Sequence, residues 1–270
     1  MDIQWYPGHM AKARREILLN LKLVDLVIEL TDARVPKSSR NPDIPEIHGK
    51  PYVLVATKTD LADPKRTKAW VDFWRTNREK VVLLDVLTGK GFRELEREIK
   101  IITPSLKRTP RALIVGIPNV GKSSLINKLA GKSSTKVGAK PGITRGKQWI
   151  KAAGLQLLDT PGILWPKFAD QETAYKLASV SAIRDDISDW EELAEWLLKT
   201  LVKHYWIPLS QRYKLTSPEA DLLALIGSKR GCLRAGGIID RRQAAQVVLQ
   251  DFRSGRLGRI SLEVPNGEDE

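Results

Sequence analysis

A glycine-rich stretch between an apolar run and a predicted helix could bind phosphate. Residues 116–123 read Gly-Ile-Pro-Asn-Val-Gly-Lys-Ser. The two glycines permit a tight backbone path that turns N–H groups toward phosphate oxygens, and the helix amino terminus adds positive potential. Lys122 is predicted to reach the β- and γ-phosphates, and the Ser123 hydroxyl to ligate Mg²⁺. The predicted phosphate contacts are Asn119, Val120, Gly121, Lys122, Ser123 and Ser124.

Two later segments predict contacts to the metal and to the γ-phosphate. Asp159 follows the apolar run 155–158, where its carboxylate could hold Mg²⁺ through water, and Gly162 would let a backbone N–H approach the γ-phosphate. Thr144 is the candidate second hydroxyl ligand for Mg²⁺, the alternative being an ordinary loop threonine. Loss of the γ-phosphate would release both segments.

A second loop is predicted to bind the base. Residues 57–60 read Thr-Lys-Thr-Asp and follow the apolar run 52–56. The Asp60 carboxylate could accept hydrogen bonds from N1–H and the exocyclic amine of guanine, a donor pair that adenine lacks. We therefore expect guanine contacts from Thr57, Lys58 and Asp60, with residues 85–91 as a possible supporting loop. Asn is the usual first residue, so Thr57 keeps an ATP-dependent RNA remodelling enzyme open as an alternative.

The order of these motifs is unusual. The base loop precedes the phosphate loop, whereas in ordinary small GTPases it comes last. The loops at the carboxyl ends of parallel strands meet at one sheet edge, so a ligand encounters the same groups whatever their connectivity. The order therefore predicts a circularly permuted P-loop GTPase.

Short apolar runs alternate with helical patterns, as in an α/β fold. We predict a mostly parallel sheet with helices on both faces. The predicted strands are 24–30, 52–56, 81–84, 112–117, 149–152 and 155–158, and the predicted helices are 65–78, 92–102 and 122–129.

The strand pattern stops after about residue 167, and helical spacing replaces it. Apolar residues from Trp190 to Tyr205 recur at three or four positions, as on the inner face of a helix. Ser217 is a predicted N-cap, with Pro218 in the first turn, and Asp240 another. The predicted organisation is a permuted GTPase domain with an N-terminal helical segment (1–175), a small all-α domain (176–264) and a disordered tail (265–270).

Composition and charge limit the possible classes. The chain has 270 residues, one Cys and a net charge of +13, all of which residues 1–175 carry, since residues 176–270 hold 14 basic and 14 acidic residues. One Cys excludes a disulfide framework and a Cys-based zinc site. A basic stretch from Arg212 to Arg259 suits a polyanion, or is simply solvated surface. With no apolar membrane span, we expect a soluble, cytoplasmic monomer without membrane contact.

Together, these motifs resemble the ribosome biogenesis GTPase A family of circularly permuted bacterial GTPases. The similarity runs nearly end to end: residues 4–13, 32–34 with 38–42, the phosphate loop, 157–167 and 229–233. The resemblance implies GTP hydrolysis during late maturation of the large (50S) ribosomal subunit, with the helical domain binding ribosomal RNA. A permuted GTPase of the small subunit and an RNA scaffold with little hydrolysis are the alternatives.

The resemblance also suggests roles for individual residues. Ile163 stands where many GTPases have the Gln that orients the attacking water, and His9 is the implied catalytic replacement; the alternative is an ordinary residue at the start of an amphipathic helix. It further implies that Asn119 holds K⁺ beside the Mg²⁺ cofactor; the alternative is a turn residue. Candidate contacts to 23S rRNA of the subunit precursor are Lys12, Arg14, Arg15, Lys229, Arg230, Arg234, Arg241 and Arg242.

Overall fold

A mostly parallel β-sheet positions the predicted loops. The computed structural model describes residues 15–40, 42, 49–104, 108–131, 149–152, 154–158, 170–183 and 189–265. Within these residues the strands are β1 (Leu26–Asp32), β2 (Tyr52–Thr57), β3 (Val81–Leu83), β4 (Arg111–Val115), β5 (Trp149–Ala152) and β6 (Leu155–Leu158). Their order is β3-β2-β1-β4-β6-β5, and only the β5–β6 pair is antiparallel.

Burial on both faces explains why the strands are apolar runs instead of alternating patterns. In β2, Val53 and Val55 join the main core, whereas Leu54 and Ala56 pack on the opposite face. Helices must therefore cover both faces. β1 extends to Asp32, two residues beyond the predicted end, because Asp32 still pairs with Thr57. The prediction stopped early because the last two residues of β1 are polar, although both are buried.

Helices cover the two faces of the sheet. The helices beside it are α1 (Pro64–Thr76), α2 (Phe92–Ile102) and α3 (Lys122–Ala130), and residues 15–21 are also helical. Helix α1 begins where the Asp63 carboxylate accepts hydrogen bonds from the N–H groups of Lys65 and Arg66, and it packs Trp70 and Trp74 on one face. Helices α2 and α3 contribute to the main core on the other face. The predicted fold class is confirmed.

A helical region follows the sheet. Its helices are α4 (Gln171–Ser179), α5 (Trp190–Tyr213), α6 (Leu222–Arg230) and α7 (Arg241–Arg253), with a 3₁₀ turn at Ala235–Gly237. Their apolar side chains join the core cluster that includes β1 and β4. Helix α4 runs through the boundary predicted at residue 175. Among the described residues, no helix combines the length and apolarity needed to cross a membrane.

The structure corrects one predicted helix start and confirms another. Helix α6 begins at Leu222, where Asp221 accepts from the Ala224 N–H at 3.1 Å. Ser217 instead accepts from the Glu219 N–H at 3.3 Å. The Ser-Pro pair thus belongs to a turn, because a serine hydroxyl can cap a local turn as well as a helix. Asp240 caps α7 as predicted.

The final described residues lie against the loops that follow β1 and β2 and do not form part of a helix bundle. In the carboxyl-terminal segment, defined here as residues 255–263, the Ile260 N–H donates to Leu61 O at 2.9 Å and the Leu262 N–H donates to Arg34 O at 2.7 Å. Both side chains are buried. The segment therefore joins the helical region to the loops that follow β1 and β2. Residues 266–270 of the predicted tail lie outside the described residues.

Candidate nucleotide site

The phosphate loop has the backbone path that its sequence predicts. Gly116 directly follows β4 with a φ of 153°, and a Cβ added there would lie 2.8 Å from Leu30 O. Any side chain would therefore force the loop away from β1. Asn119 and Gly121 have φ values of 58° and 110°, and Gly121 directly precedes α3. The loop thus turns sharply into the helix amino terminus, a geometry that favours anions.

Hydrogen bonds within the loop orient Lys122. Its Nζ donates to Gly116 O at 3.0 Å and to Ile117 O at 2.7 Å, and the residue is only 7% exposed. The ammonium is therefore held over the loop it follows. Ser123 and Ser124 are exposed in the first turn of α3. An exposed hydroxyl oxygen at a helix amino terminus suits both a phosphate and a hard cation.

Thr57 joins the base loop to the phosphate loop. Its hydroxyl lies 2.7 Å from Val120 O and 3.1 Å from Thr31 O, and either carbonyl can accept its single proton. Two loops 63 residues apart in sequence are thereby in direct contact. Thr57 is fully buried, so its side chain holds the two loops together, and its predicted contact with guanine stays a prediction.

A buried ion-pair network lies beside the base loop. Lys58 Nζ is 3.4 Å from Asp32, and Arg34 binds the same carboxylate through Nε at 2.9 Å and Nη2 at 2.8 Å. Burial raises the pKa of Asp32, but the charges of Arg34 and Lys58 outweigh it and bring the pKa to about 2. Burial lowers the pKa of Lys58, and the Asp32 charge opposes that shift. The carboxylate therefore stays ionised and anchors Lys58.

Sequence reasoning gave Asp32 and Arg34 no chemical role. Both lie in a stretch that contributed only to the family resemblance. The available signal was a carboxylate at the end of an apolar run, at the sheet edge where the nucleotide loops meet.

The remaining base-side residues lie at the same sheet edge. Asp60 is exposed at the end of the base loop. After β3, the Asp85 carboxylate accepts from the N–H groups of Leu87 and Thr88 at 2.8 and 3.2 Å and from the Thr88 hydroxyl at 2.5 Å. The Thr88 hydrogen bond lowers the pKa of Asp85, although burial opposes it. These bonds fix the loop that the sequence suggests as a supporting base loop.

Asn119 connects the phosphate loop to the helical region. Its Nδ2 donates to Ser181 O at 2.6 Å, just after α4. A carbonyl oxygen only accepts, so the amide nitrogen must be the atom that faces Ser181. Binding of K⁺ by the amide oxygen of Asn119 stays a prediction.

Several predicted site residues lie outside the described part of the chain, and their roles remain predictions. They are His9, Lys12, Arg14, Thr144, Asp159 and Gly162.

The basic side chains predicted to contact RNA differ in how many other groups of the protein they already contact. Arg15 and Arg242 are exposed. Lys229 Nζ donates to Lys214 O at 2.9 Å, and Arg230 stacks over the Tyr213 ring at 5.2 Å. Both keep their charge on the surface at the carboxyl end of α6. They therefore remain compatible with a phosphate contact.

Close acidic neighbours occupy two of the predicted contacts, and Arg230 also lies 3.9 Å from Asp251. Arg234 pairs with Asp240 at 3.0 Å. Arg241 binds Asp221 at 2.6 Å and Glu195 at 2.7 Å, and hydrogen bonds with both raise its pKa. Arg241 thus ties α7 to α5 and to the start of α6. We assign it to this internal role, because its charge is already neutralised.

Two other basic residues of the predicted polyanion surface donate to backbone carbonyls, although Arg259 is itself exposed. Arg253 donates to Ala178 O at 2.8 Å and to Ser179 O at 3.1 Å. Arg259 donates to Thr59 O at 2.7 Å and to Ala62 O at 2.9 Å. A count of basic residues could not separate these from free surface charges. Their proximity to the buried residues Leu257, Ile260 and Leu262 was the only available signal.

A phosphate loop after β4, joined to an earlier base loop after β2, defines a circularly permuted P-loop GTPase. The family described as "50S ribosome-binding GTPase" matches residues 111–208. Ribosome biogenesis GTPase A of Priestia megaterium is 45% identical over 282 residues, covering 98% of each chain. The chain belongs to the ribosome biogenesis GTPase A family.

Solved structures show the same relationship. The crystal structure of GNP-bound YlqF from T. maritima matches 95% of this chain and 100% of its own, with 29% identity and a TM-score of 0.71. The GDP-bound structure of the same protein matches 93% of this chain and 99% of its own, with 29% identity and a TM-score of 0.68.

Proposed function

We propose that the protein binds and hydrolyses GTP with Mg²⁺ and acts in late maturation of the large ribosomal subunit, where it binds 23S rRNA in a nucleotide-dependent way. The contact between Thr57 and Val120 carries the nucleotide part, because it brings the base and phosphate loops to one site. The family description and the names of the relatives support the ribosomal part. We further propose a monomer that acts in the cytoplasm.

The residues fit Mg²⁺ chemically. Ser123 offers an exposed hydroxyl at the start of α3, and we propose Thr144 and Asp159 as its partners. Hydroxyl and carboxylate oxygens are the donors that Mg²⁺ prefers, together with substrate phosphates. When bound, the ion would supply positive charge beside the transferred phosphoryl group. Lys122 and the backbone N–H groups of the loop bind the phosphates, and the N–H of Gly162 would contact the γ-phosphate.

Hydrolysis requires a group that orients water. Ile163 has no hydrogen-bonding side chain, and we propose that His9 orients or deprotonates the water instead. We also propose that the amide oxygen of Asn119 holds K⁺, which would add charge where other GTPases insert an arginine. Turnover by the protein alone should be slow, and bound ribosomal particles should accelerate it by ordering the catalytic groups.

The nucleotide site is directly connected to the helical region that we propose binds RNA. Asn119 contacts Ser181, and α4 leads from the segment that contains Asp159 and Gly162 into the helical region. Ordering of that segment and of Thr144 by GTP would set how the helical region lies on RNA. The proposed RNA contacts are Lys12, Arg14, Arg15, Lys229, Arg230, Arg234 and Arg242.

Sedimentation with purified ribosomal subunits tests this function. Binding to the large subunit that is strong with a nonhydrolysable GTP analogue and weak with GDP is expected. Equal binding in both states would contradict the switch, and preference for the small subunit would favour the alternative assembly role. Single-turnover hydrolysis with bound subunits separates an enzyme from an RNA scaffold, and a His9→Ala variant with full stimulated turnover would remove His9 from the mechanism.

A further inference from the structure

Three backbone carbonyls around Asp60, those of Thr59, Leu61 and Ala62, bind the carboxyl-terminal segment. Arg259 Nη2 donates to Thr59 O at 2.7 Å, and its Nε donates to Ala62 O at 2.9 Å. The backbone N–H of Ile260 donates to Leu61 O, which lies between those two, at 2.9 Å. One guanidinium and the next peptide group thus bridge the turn that contains Asp60.

The turn needs such support. Lys58 adopts a left-handed conformation with a φ of 55°, which is unfavourable for a side chain with a Cβ. Within the loop, the Leu61 N–H donates to Lys58 O at 3.0 Å. Residue 60 itself is exposed. Its carboxylate is therefore positioned by the backbone on either side, and Arg259 contacts both sides.

We infer that Arg259 is a positioning residue for guanine recognition: it fixes the backbone of the base loop so that the Asp60 carboxylate faces the base. The inference rests on the proposed reading of guanine by Asp60. It also assigns a nucleotide-site role to a residue 199 positions further along the chain, next to the helical region. A rigid guanidinium with two parallel donors is suited to hold two carbonyls at once.

Matched substitutions in the full-length protein separate this role from general stability. Arg256 lies in the same segment, but its guanidinium pairs with Asp251 at 3.4 Å. Arg256→Gln therefore removes the same charge and serves as the control for Arg259→Gln. Arg259→Lys keeps the charge but cannot span both carbonyls in the same way. Thermal unfolding of each variant measures the effect on the fold.

Calorimetric titration with GDP and with inosine diphosphate, which lacks the exocyclic amine, gives the specific readout. Arg259→Gln is expected to weaken GDP binding roughly tenfold, the size expected for a misaligned hydrogen bond to a charged group. The affinity for inosine diphosphate should fall less, so the ratio of the GDP affinity to the inosine diphosphate affinity decreases. Arg256→Gln should keep the ratio, and Arg259→Lys should give an intermediate one.

A double-mutant cycle with Asp60→Ala completes the test. If Arg259 acts through Asp60, then Arg259→Gln has no further effect on GDP affinity once Asp60 is Ala. The inference about Arg259, but not the reading of guanine by Asp60, would be overturned by either of two results. One is an unchanged affinity ratio in both Arg259 variants; the other is that Arg259→Gln lowers GDP affinity equally with Asp60 and with Ala at position 60. A wild-type protein that bound both nucleotides equally would instead overturn the reading of guanine by Asp60, and the role of Arg259 with it.

Discussion

The Thr57 hydroxyl and the Val120 carbonyl oxygen lie 2.7 Å apart, and both residues are buried. Through this contact, the first residue of the base loop supports the phosphate loop. A threonine hydroxyl donates to a carbonyl as an asparagine amide would, so the unusual residue at position 57 keeps the connection between the loops.

Replacement of Thr57 by Val should therefore weaken the site without changing its volume. The variant removes the hydroxyl that Val120 O and Thr31 O share, so a buried carbonyl loses its donor, at a cost of about 1–3 kcal/mol. We expect a lower free energy of unfolding in denaturant titration and weaker GDP binding by calorimetry. Thr76→Val is the control, because that hydroxyl also donates to a carbonyl, Asp72 O, but at an exposed position of α1. Equal effects of the two substitutions would contradict a special role for Thr57.

Selection of guanine should depend on Asp60 and not on Thr57. Asp60→Asn replaces an acceptor with an amide that can donate, so it should bind xanthine, which has a C2 carbonyl where guanine has an amine. We expect GDP affinity to fall about tenfold to a hundredfold and xanthosine diphosphate affinity to rise, measured by competition against labelled GDP. Asp72→Asn, on the exposed face of α1, should change neither. Unchanged preference for GDP in Asp60→Asn would place guanine recognition elsewhere.

Much of this site could be predicted because its residues lie in short motifs whose chemistry is recognisable from neighbouring residues in the sequence. The phosphate loop and the Asp60 loop each follow an apolar run, and parallel strands must bring their carboxyl ends together. Arg259 could not be predicted in this way, since its role comes from a contact with a residue 200 positions away. Ser217 misled the prediction because hydroxyl caps serve turns as well as helices.

The pH dependence of stability should report on Asp32. Its pKa is about 2 in the folded protein against an ordinary 3.8, so the unfolded chain binds the proton more tightly. The resulting stabilisation, about 2 kcal/mol, is fully present above about pH 4 and is lost as the pH falls through 2. Asp32→Asn lacks it and leaves Arg34 and Lys58 without their carboxylate, so it should be clearly less stable at pH 7. The difference in unfolding free energy between the wild type and Asp32→Asn, measured from pH 7 to pH 2, should shrink below pH 4. A difference that stayed constant over this range would contradict an ionised Asp32.

Turnover in different salts should test the cation role of Asn119. Asn119→Ala removes the amide oxygen proposed as a K⁺ ligand, so hydrolysis with ribosomal particles should become equal in K⁺ and Na⁺, whereas the wild type should be faster in K⁺. The same variant loses the hydrogen bond to Ser181, which can affect coupling to the helical region in either salt. Only the ratio of rates in the two salts therefore reports on the ion. Equal wild-type rates in K⁺ and Na⁺ would remove K⁺ from the mechanism.

Two adjacent arginines at the start of α7 should behave in opposite ways. Arg242 is exposed, so Arg242→Gln should weaken binding to ribosomal RNA with little effect on unfolding, and should reduce the slope of log affinity against log salt by about 1. Arg241 holds Asp221 and Glu195, so Arg241→Gln should lower the unfolding free energy by about 1 kcal/mol, a modest value because these pairs are partly exposed. Filter binding over a salt series and denaturant unfolding measure the two effects. If Arg241→Gln reduced the salt slope as much as Arg242→Gln while the fold stayed equally stable, Arg241 would instead contact phosphate. Its carboxylate partners Asp221, Glu195 and Glu191, the last at 3.6 Å, would then have to release it on binding.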